Sequence, residues 1–231
     1  MTTTTLEKTG ADDGPLSTSE RLFEIIRDRI LYGDLPPGTK ITEAALSKAY
    51  GVNRAPLREA FLRLEERRLI ERVPFSGTHV FKPSTRMLRE LFEVREILEG
   101  FACRKVAEAI TDEQADELLE IVEYRAAMTN TMEDQELTAS LTTLDIHQKI
   151  AELCGNEELQ RILRSDVWIY LRANFRQWNR SAEKKRAGAA EHREIVKALK
   201  KGDGELAELL MRRHISSTRV IWERDLSGRT E

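Results

Sequence analysis

Cysteine is scarce in this chain of 231 residues: Cys103 and Cys154 stand far apart with no CxxC pair. That spacing excludes a disulfide framework or zinc knuckle and leaves two reduced packing residues. No run reaches the roughly 18 apolar residues that a membrane span needs. The opening MTTTTLEKTG has neither the basic nor the apolar region of a signal peptide, so a cytoplasmic protein is expected. An HExxH motif is also missing, and with it the general base of a zinc hydrolase. Strong charge of either sign is lacking too, since the net value is −3. Taken as an average, that figure argues against a nucleic-acid binder.

The average conceals an asymmetry. Residues 18–84 carry 12 Lys and Arg against 9 Asp and Glu, residues 85–231 carry 24 against 28, and residues 1–17 carry 1 against 3. A mildly basic module on an acidic remainder is the pattern of a DNA reader joined to a second domain. The length also suits two domains. Residues 1–17, rich in Thr, Gly and Asp, bury too little to offset ordering entropy and are expected to form a disordered tail. Residues 18–83 follow as one unit. SERLFEIIRDRILYG places Leu22, Ile25, Ile26 and Ile30 at helical spacing, with Ser19 as candidate N-cap and Gly33 past the end. DLPPGTKI reads as a turn, and Thr42 offers a cap for the short helix EAALSKAY, which stops at Gly51.

The stretch GVNRAPLREA then opens a second short-spaced helix. Gly51 suits a left-handed residue, Val52 plugs the corner, Asn53 is the candidate cap, and Pro56 falls in the first turn, where no N–H is needed. The result is a helix-turn-helix. Leu57, Ala60, Phe61 and Leu64 form its buried stripe, which leaves Arg54 and Arg58 together on another face. Arginines there can pair bidentately with guanine in a major groove, or form a solvated face with Arg58 paired to Glu59 or Glu66. ERVPFSGTHVF reads as a hairpin turning at Ser76-Gly77, a wing whose tip runs from Ser76 to His79. Gly77 would allow close approach to a DNA backbone and Thr78 would donate to phosphate. His79 reads as a surface histidine or a base reader.

On these residues the segment 19–83 resembles the winged helix of the GntR superfamily of bacterial transcription regulators, through GDLPPGTKITEAALSKAYGVNRAPLREAFLRLEERRLI. The resemblance implies that Asn53 replaces the family's serine or threonine cap and that Arg54 and Arg58 are its two recognition-helix arginines. Ser76 stands where the family has an arginine before the wing glycine, which implies one contact fewer.

Beyond Pro83 the pattern is helical throughout, and residues 84–227 are expected to form an all-α bundle of about six helices. Ser84 caps a helix with the stripe Met87, Leu88, Leu91, Val94 and Leu98, and TDEQ from Thr111 is a capping box. LTTLDIHQKIAEL ends at Gly155, Asn156 caps a helix running through Trp168, Tyr170, Phe175 and Trp178, and two more lie between Ser181 and Trp222, divided at Gly202-Asp203-Gly204. Three of the four histidines lie here, His147, His192 and His214, each expected in mid-helix. Each taken alone is a surface or hydrogen-bonded core residue by default.

These segments resemble the FCD ligand-binding domain of the FadR-type branch, and the resemblance implies that His147, His192 and His214 are its three metal ligands. The family's fourth ligand, an aspartate four residues before the first histidine, is Thr143 here. Asp145, roughly 200° around the helix from His147, faces elsewhere. Two outcomes follow: a three-histidine zinc or nickel site that takes an anionic effector, or a metal-free pocket whose histidines hold the effector directly. The family match makes Arg95 a candidate partner for a small carboxylate, and a salt bridge to Glu99 is the alternative. The whole describes a ligand-responsive repressor binding a palindromic operator as a homodimer, rather than a three-histidine enzyme or an unregulated architectural DNA binder. Glu191 precedes His192 but is expected to point away.

Overall fold

The structure, a computed structural model, describes residues 16–128, 145–165 and 182–227. Helix α1, Thr18–Leu31, is capped by Ser17, whose hydroxyl accepts from the Glu20 N–H while the Glu20 carboxylate accepts from the Ser17 N–H. The sequence points to Ser19 as the cap, but a capping box needs its glutamate three residues on, and Glu20 stands at that distance only from Ser17. Ser19 is buried inside the first turn. Ser17 therefore belongs to the fold and not to a tail, and residues 1–15 lie outside the described residues.

A two-residue strand β1, Lys40–Ile41, precedes α2, Glu43–Tyr50, which Thr42 caps through the Ala45 N–H. So short a strand has no periodicity to read, and DLPPGTKI looks like turn alone. Gly51 ends α2 at φ 66° and ψ 30°, the left-handed conformation open to glycine without strain. Helix α3 is Arg54–Glu66; strands β2, Ile70–Val73, and β3, Gly77–Val80, follow. The three strands pair antiparallel in the order β1-β3-β2. Leu57, Ala60, Phe61 and Leu64 of α3 are buried with Leu22, Ile26 and Ile30 of α1. Phe23 joins them in place of the expected Ile25. Its ring lies 4.5 Å from the Arg63 guanidinium and 5.3 Å from that of Arg67, a cation–π arrangement that lets α3 close over α1.

Six helices follow among the described residues: α4, Thr85–Ala107; α5, Asp112–Met128; α6, Ile146–Leu153; α7, Glu157–Leu163; α8, Ala182–Lys200; and α9, Gly204–Ser227. Ser84, the Thr111–Gln114 box and Asn156 cap as their sequence positions suggest, but the helix that Asn156 opens ends at Leu163 and does not continue toward Trp168 as expected. The inward stripe of α4 differs from the expected one. Val94 is exposed and Met87, Leu91 and Leu98 are only half-buried, whereas Leu88, Phe92, Arg95, Glu99, Ala102, Cys103 and Val106 are buried. Leu88 belongs to both stripes, and Leu91 and Leu98 still pack against the core; the apolar count alone draws the stripe toward Val94 because the buried face carries a charged pair. Helices α4 and α9 lie along each other, and α8 packs on both α5 and α9. Gly100 allows the α4–α9 approach, since a Cβ there would stand 2.7 Å from Cγ of Arg212. Cys103 and Cys154 are free and buried, and burial pushes the Cys103 thiol up, as expected of packing residues. Thr143 and the aromatics Trp168, Tyr170, Phe175 and Trp178 lie outside the described residues.

Leu57, 0% exposed, and Leu62, 52% exposed, sit on opposite faces of α3. Leu57→Ala should lose about 2–5 kcal/mol in a denaturant titration. Leu62→Ala should change stability by less than roughly 0.5 kcal/mol.

Candidate functional site

Two regions of the molecule gather polar groups. The first is the exposed end of α3. Asn53 occupies the cap position with extended backbone, yet its side chain accepts no bond from the helix. That corrects its expected capping role; its side chain is exposed and turns outward. Arg54 and Arg58 are both exposed. Arg58 reaches neither Glu59 nor Glu66; its Nε donates to Glu43 of α2 at 2.9 Å. With side chains 66% and 32% exposed, such a pair contributes about 0–1 kcal/mol, so Arg58 can leave it at little cost.

The hairpin beside α3 turns earlier than its sequence suggests. The Ser76 N–H donates to the Val73 carbonyl at 3.1 Å, and Val73 pairs with Gly77. The tip is therefore Pro74-Phe75-Ser76. Gly77 is the first residue of β3 and Thr78 is held between Ile41 and Arg72. His79 is no tip residue: it lies between Lys40 and Glu71, its ring hydrogen-bonded to Ser76 Oγ at 2.7 Å and to the Gly38 carbonyl at 3.1 Å. Those bonds make it a brace for the turn.

The second region is inside the bundle. His147 is the second residue of α6, not in mid-helix, because Asp145 is the N-cap and accepts from the His147 N–H at 3.1 Å. His192 and His214 come from the middle of α8 and α9. The Nε2 atom of His192 stands 3.3 Å from that of His147 and 3.1 Å from that of His214. Three helices thus aim one nitrogen each at a common point.

Two carboxylates fix the outer side of this cluster. Glu99 of α4 accepts from Nδ1 of His147 at 2.6 Å, and Glu191 of α8 accepts from Nδ1 of His214 at 2.6 Å. With its proton committed at Nδ1, each of these rings turns an Nε2 lone pair inward. Glu99 is itself clamped by the Arg95 guanidinium, Nε to Oε1 at 2.8 Å, with both side chains almost fully buried. Of the two readings of Arg95, the structure contains the salt bridge. Asp145 is buried beside the cluster, where Arg125 of α5 approaches it at 3.4 Å. As a cap it sits outside the helix, so the helical-wheel argument against it does not apply, but it is not among the clustered ligand atoms.

Burial dominates the electrostatics. It pushes the His147 imidazole down to about 4 in spite of the neighbouring Glu99 carboxylate. It also holds His192 well below its ordinary value, with His214 and His147 adding to the effect. Neutral imidazoles are what a metal binds. Two nitrogens held 2.0–2.1 Å from one tetrahedral zinc stand roughly 3.4 Å apart, close to the two separations from His192, and all three ligand atoms lie within 4.8 Å of one another, so the donor set fits a divalent cation.

Neither carboxylate stands out in the sequence as part of the site. The one signal for Glu99 is that Arg95 and Glu99 interrupt an otherwise apolar inward stripe. Glu191 gives none, because a neighbour of His192 on one helix serves a histidine on another.

Residues 18–80 match the family model described as bacterial regulatory proteins, gntR family, and residues 90–217 match the FCD domain model. The HTH-type transcriptional repressor RspR of Escherichia coli (strain K12) is 26% identical over 199 residues, 85% of each chain. The probable D-xylose utilization operon transcriptional repressor of Paenarthrobacter nicotinovorans is 28% identical over 205 residues, 87% of each. The solved E. coli McbR/YncC shares the fold at a TM-score of 0.74 and 20% identity, over 91% of this chain and 99% of that one. No helix among the described residues is long and apolar enough to cross a membrane. With a winged helix followed by a helical bundle centred on three histidines, the chain belongs to the GntR family of transcriptional regulators, in the branch that carries an FCD domain.

Proposed function

We propose that this regulator is a homodimeric repressor that reads a palindromic operator through α3 and releases it when a small organic acid enters the bundle. The observation that carries the sensing half is the convergence of the His147 and His214 Nε2 atoms on that of His192, at 3.3 and 3.1 Å, with two of the three rings locked from behind by carboxylates. His147, His192 and His214 would hold zinc or nickel. When bound, such a cation supplies open coordination positions that attract a carboxylate oxygen. Thr143, standing where the family has an aspartate, leaves the protein one anionic ligand short, which favours an anionic guest. Arg95 acts at one remove, holding Glu99 against His147.

Sensing is favoured over catalysis by the same hydrogen bonds. Glu99 and Glu191, the carboxylates bonded to these rings, are both committed to Nδ1 atoms and do not face the nitrogen cluster as a general base would. An architectural binder would have no use for a buried three-imidazole cluster, whose assembly costs desolvation of polar groups.

On the DNA side, Arg54 and Arg58 would enter a major groove, and Asn53, Thr78 and Gly77 would lie near the phosphates. One such helix reads too few base pairs to discriminate among genomic sites, so two copies are needed. A surface for pairing exists on α4, where Val94, Ile97 and Phe101 are exposed at helical spacing, 44%, 62% and 41%. The neighbouring α9 adds exposed Leu206 and Leu209. An apolar stripe of this kind on a water-soluble helix marks an association surface.

Arg54→Ala and Arg58→Ala should each lose roughly 1–3 kcal/mol on the operator with little loss on random DNA; equal losses on both, measured by fluorescence anisotropy, would reduce them to phosphate contacts. Ile97→Glu should sediment as a monomer in analytical ultracentrifugation, and a persisting dimer would move the interface elsewhere.

A further inference from the structure

The β2–β3 turn carries a residue that its backbone does not want. Val73-Pro74-Phe75-Ser76 closes with the Ser76 N–H on the Val73 carbonyl, and Phe75 has φ 61°. Proline at the second position with positive φ at the third is the pattern of a type II turn, whose third position calls for glycine or asparagine. A phenylalanine there is strained, since its Cβ crowds the backbone. Nothing among the described residues compensates: the Phe75 side chain is fully exposed, and Val73 beside it is 39% exposed. Strain and an unburied aromatic both work against stability. Such a combination persists where the presented side chain has a task.

The surroundings indicate what the ring meets. Lys40 lies against the base of the turn, its Cε 3.5 Å from where a Cβ on Gly77 would be. Arg72, facing Thr78, pairs through Nε with Glu65 at 3.0 Å, but with side chains 61% and 36% exposed that pair contributes little and can be exchanged for a phosphate. An apolar tip flanked by two cations, on the wing of a helix-turn-helix protein, is complementary to a narrow groove walled by phosphates. A protein partner that took up Phe75 would have to accommodate both cations as well.

Resting on the DNA-reading role above, we propose that Phe75 is a wedge that enters the operator minor groove beside the half-site and partly unstacks one base step, with Lys40 and Arg72 on the flanking phosphates. Apolar wedges of this kind kink duplexes by roughly 20–90°. They act at pyrimidine–purine steps, which unstack most easily. The wing would then read sequence through deformability, at a position where no hydrogen bond is made.

The test uses the full chain. A duplex enriched from a random-sequence pool by the wild-type protein serves as probe, with binding followed by anisotropy and bending by circular-permutation gel shift. Phe75→Ala should weaken binding to that duplex about tenfold and reduce the bend while binding random DNA as before. Phe75→Leu should lie between, since leucine can still wedge. Phe75→Gly, which relieves the backbone, should melt no lower than wild type yet show the same loss, which separates a DNA role from a folding one. Binding and bending by Phe75→Ala equal to wild type would overturn the inference and leave the DNA-reading role standing. An equal loss on random DNA would also overturn it, reducing the ring to a general contact. If wild type enriches no sequence, the DNA-reading role falls and the wedge with it.

Discussion

Two imidazole nitrogens drawn to 3.1 and 3.3 Å from a third inside a helical bundle form an arrangement that has to be enforced. Lone pairs at 3.1 and 3.3 Å repel unless a proton or a cation lies between them, and burial works against the proton by holding His147 and His192 neutral. The rest of the bundle follows from that constraint. Glu99 and Glu191 choose the tautomers of two rings. Arg95 neutralises Glu99, which without a partner would be a buried charge costing several kcal/mol in this interior. Asp145 starts α6 where its second residue, His147, can face α4. Each polar group in the core of α4 is thus explained by the histidines and not by the packing of α4 itself.

The same helix joins the site to the reading head. Helix α4 begins within five residues of the end of β3 and runs without interruption past Glu99 to Ala107. At about 1.5 Å per residue its 23 residues span roughly 34 Å. On the proposed reading, a guest that shifted His147 would act on α4 through the Glu99 hydrogen bond, and the amino-terminal end of α4 would carry the wing with it. If the exposed stripe of α4 also makes the dimer contact, one rigid element reports the site to both the partner copy and the DNA. Such a helix needs only two arrangements of similar free energy, and an effector need only bind one of them better.

How much of this was legible in the sequence depended on the range of the interactions. The helix-turn-helix was readable because its signals are local: Thr42 three residues before Ala45, Gly51 at a left-handed corner, and an apolar stripe at Leu57, Phe61 and Leu64. The cap of α1 was also local, but it hinged on pairing Glu20 with Ser17 instead of choosing the serine nearest the apolar run. The sequence pattern places the wing turn two residues late, because Ser76-Gly77 looks more like a turn than Pro74-Phe75 does, and the strained phenylalanine gives no local signal. Inside the bundle the three histidines were found only through family likeness, and the structure adds that they meet. Glu99 and Glu191 escaped because what makes them part of the site is contact between helices 48 and 23 residues apart in sequence. A helical wheel cannot see such contacts, and on α4 it turns the stripe toward Val94 because the buried Arg95–Glu99 pair counts as polar.

The central claim is that the convergent nitrogens form a metal site in which the carboxylates are supports. It is tested most directly by metal content, measured by plasma mass spectrometry on protein purified without chelator, beside His147→Ala prepared in the same way. The account predicts near-stoichiometric zinc or nickel in the wild type and its loss in the variant. Absence of metal from the wild type, with none taken up on addition, would contradict it and leave the three imidazoles as direct hydrogen-bonding partners of the effector.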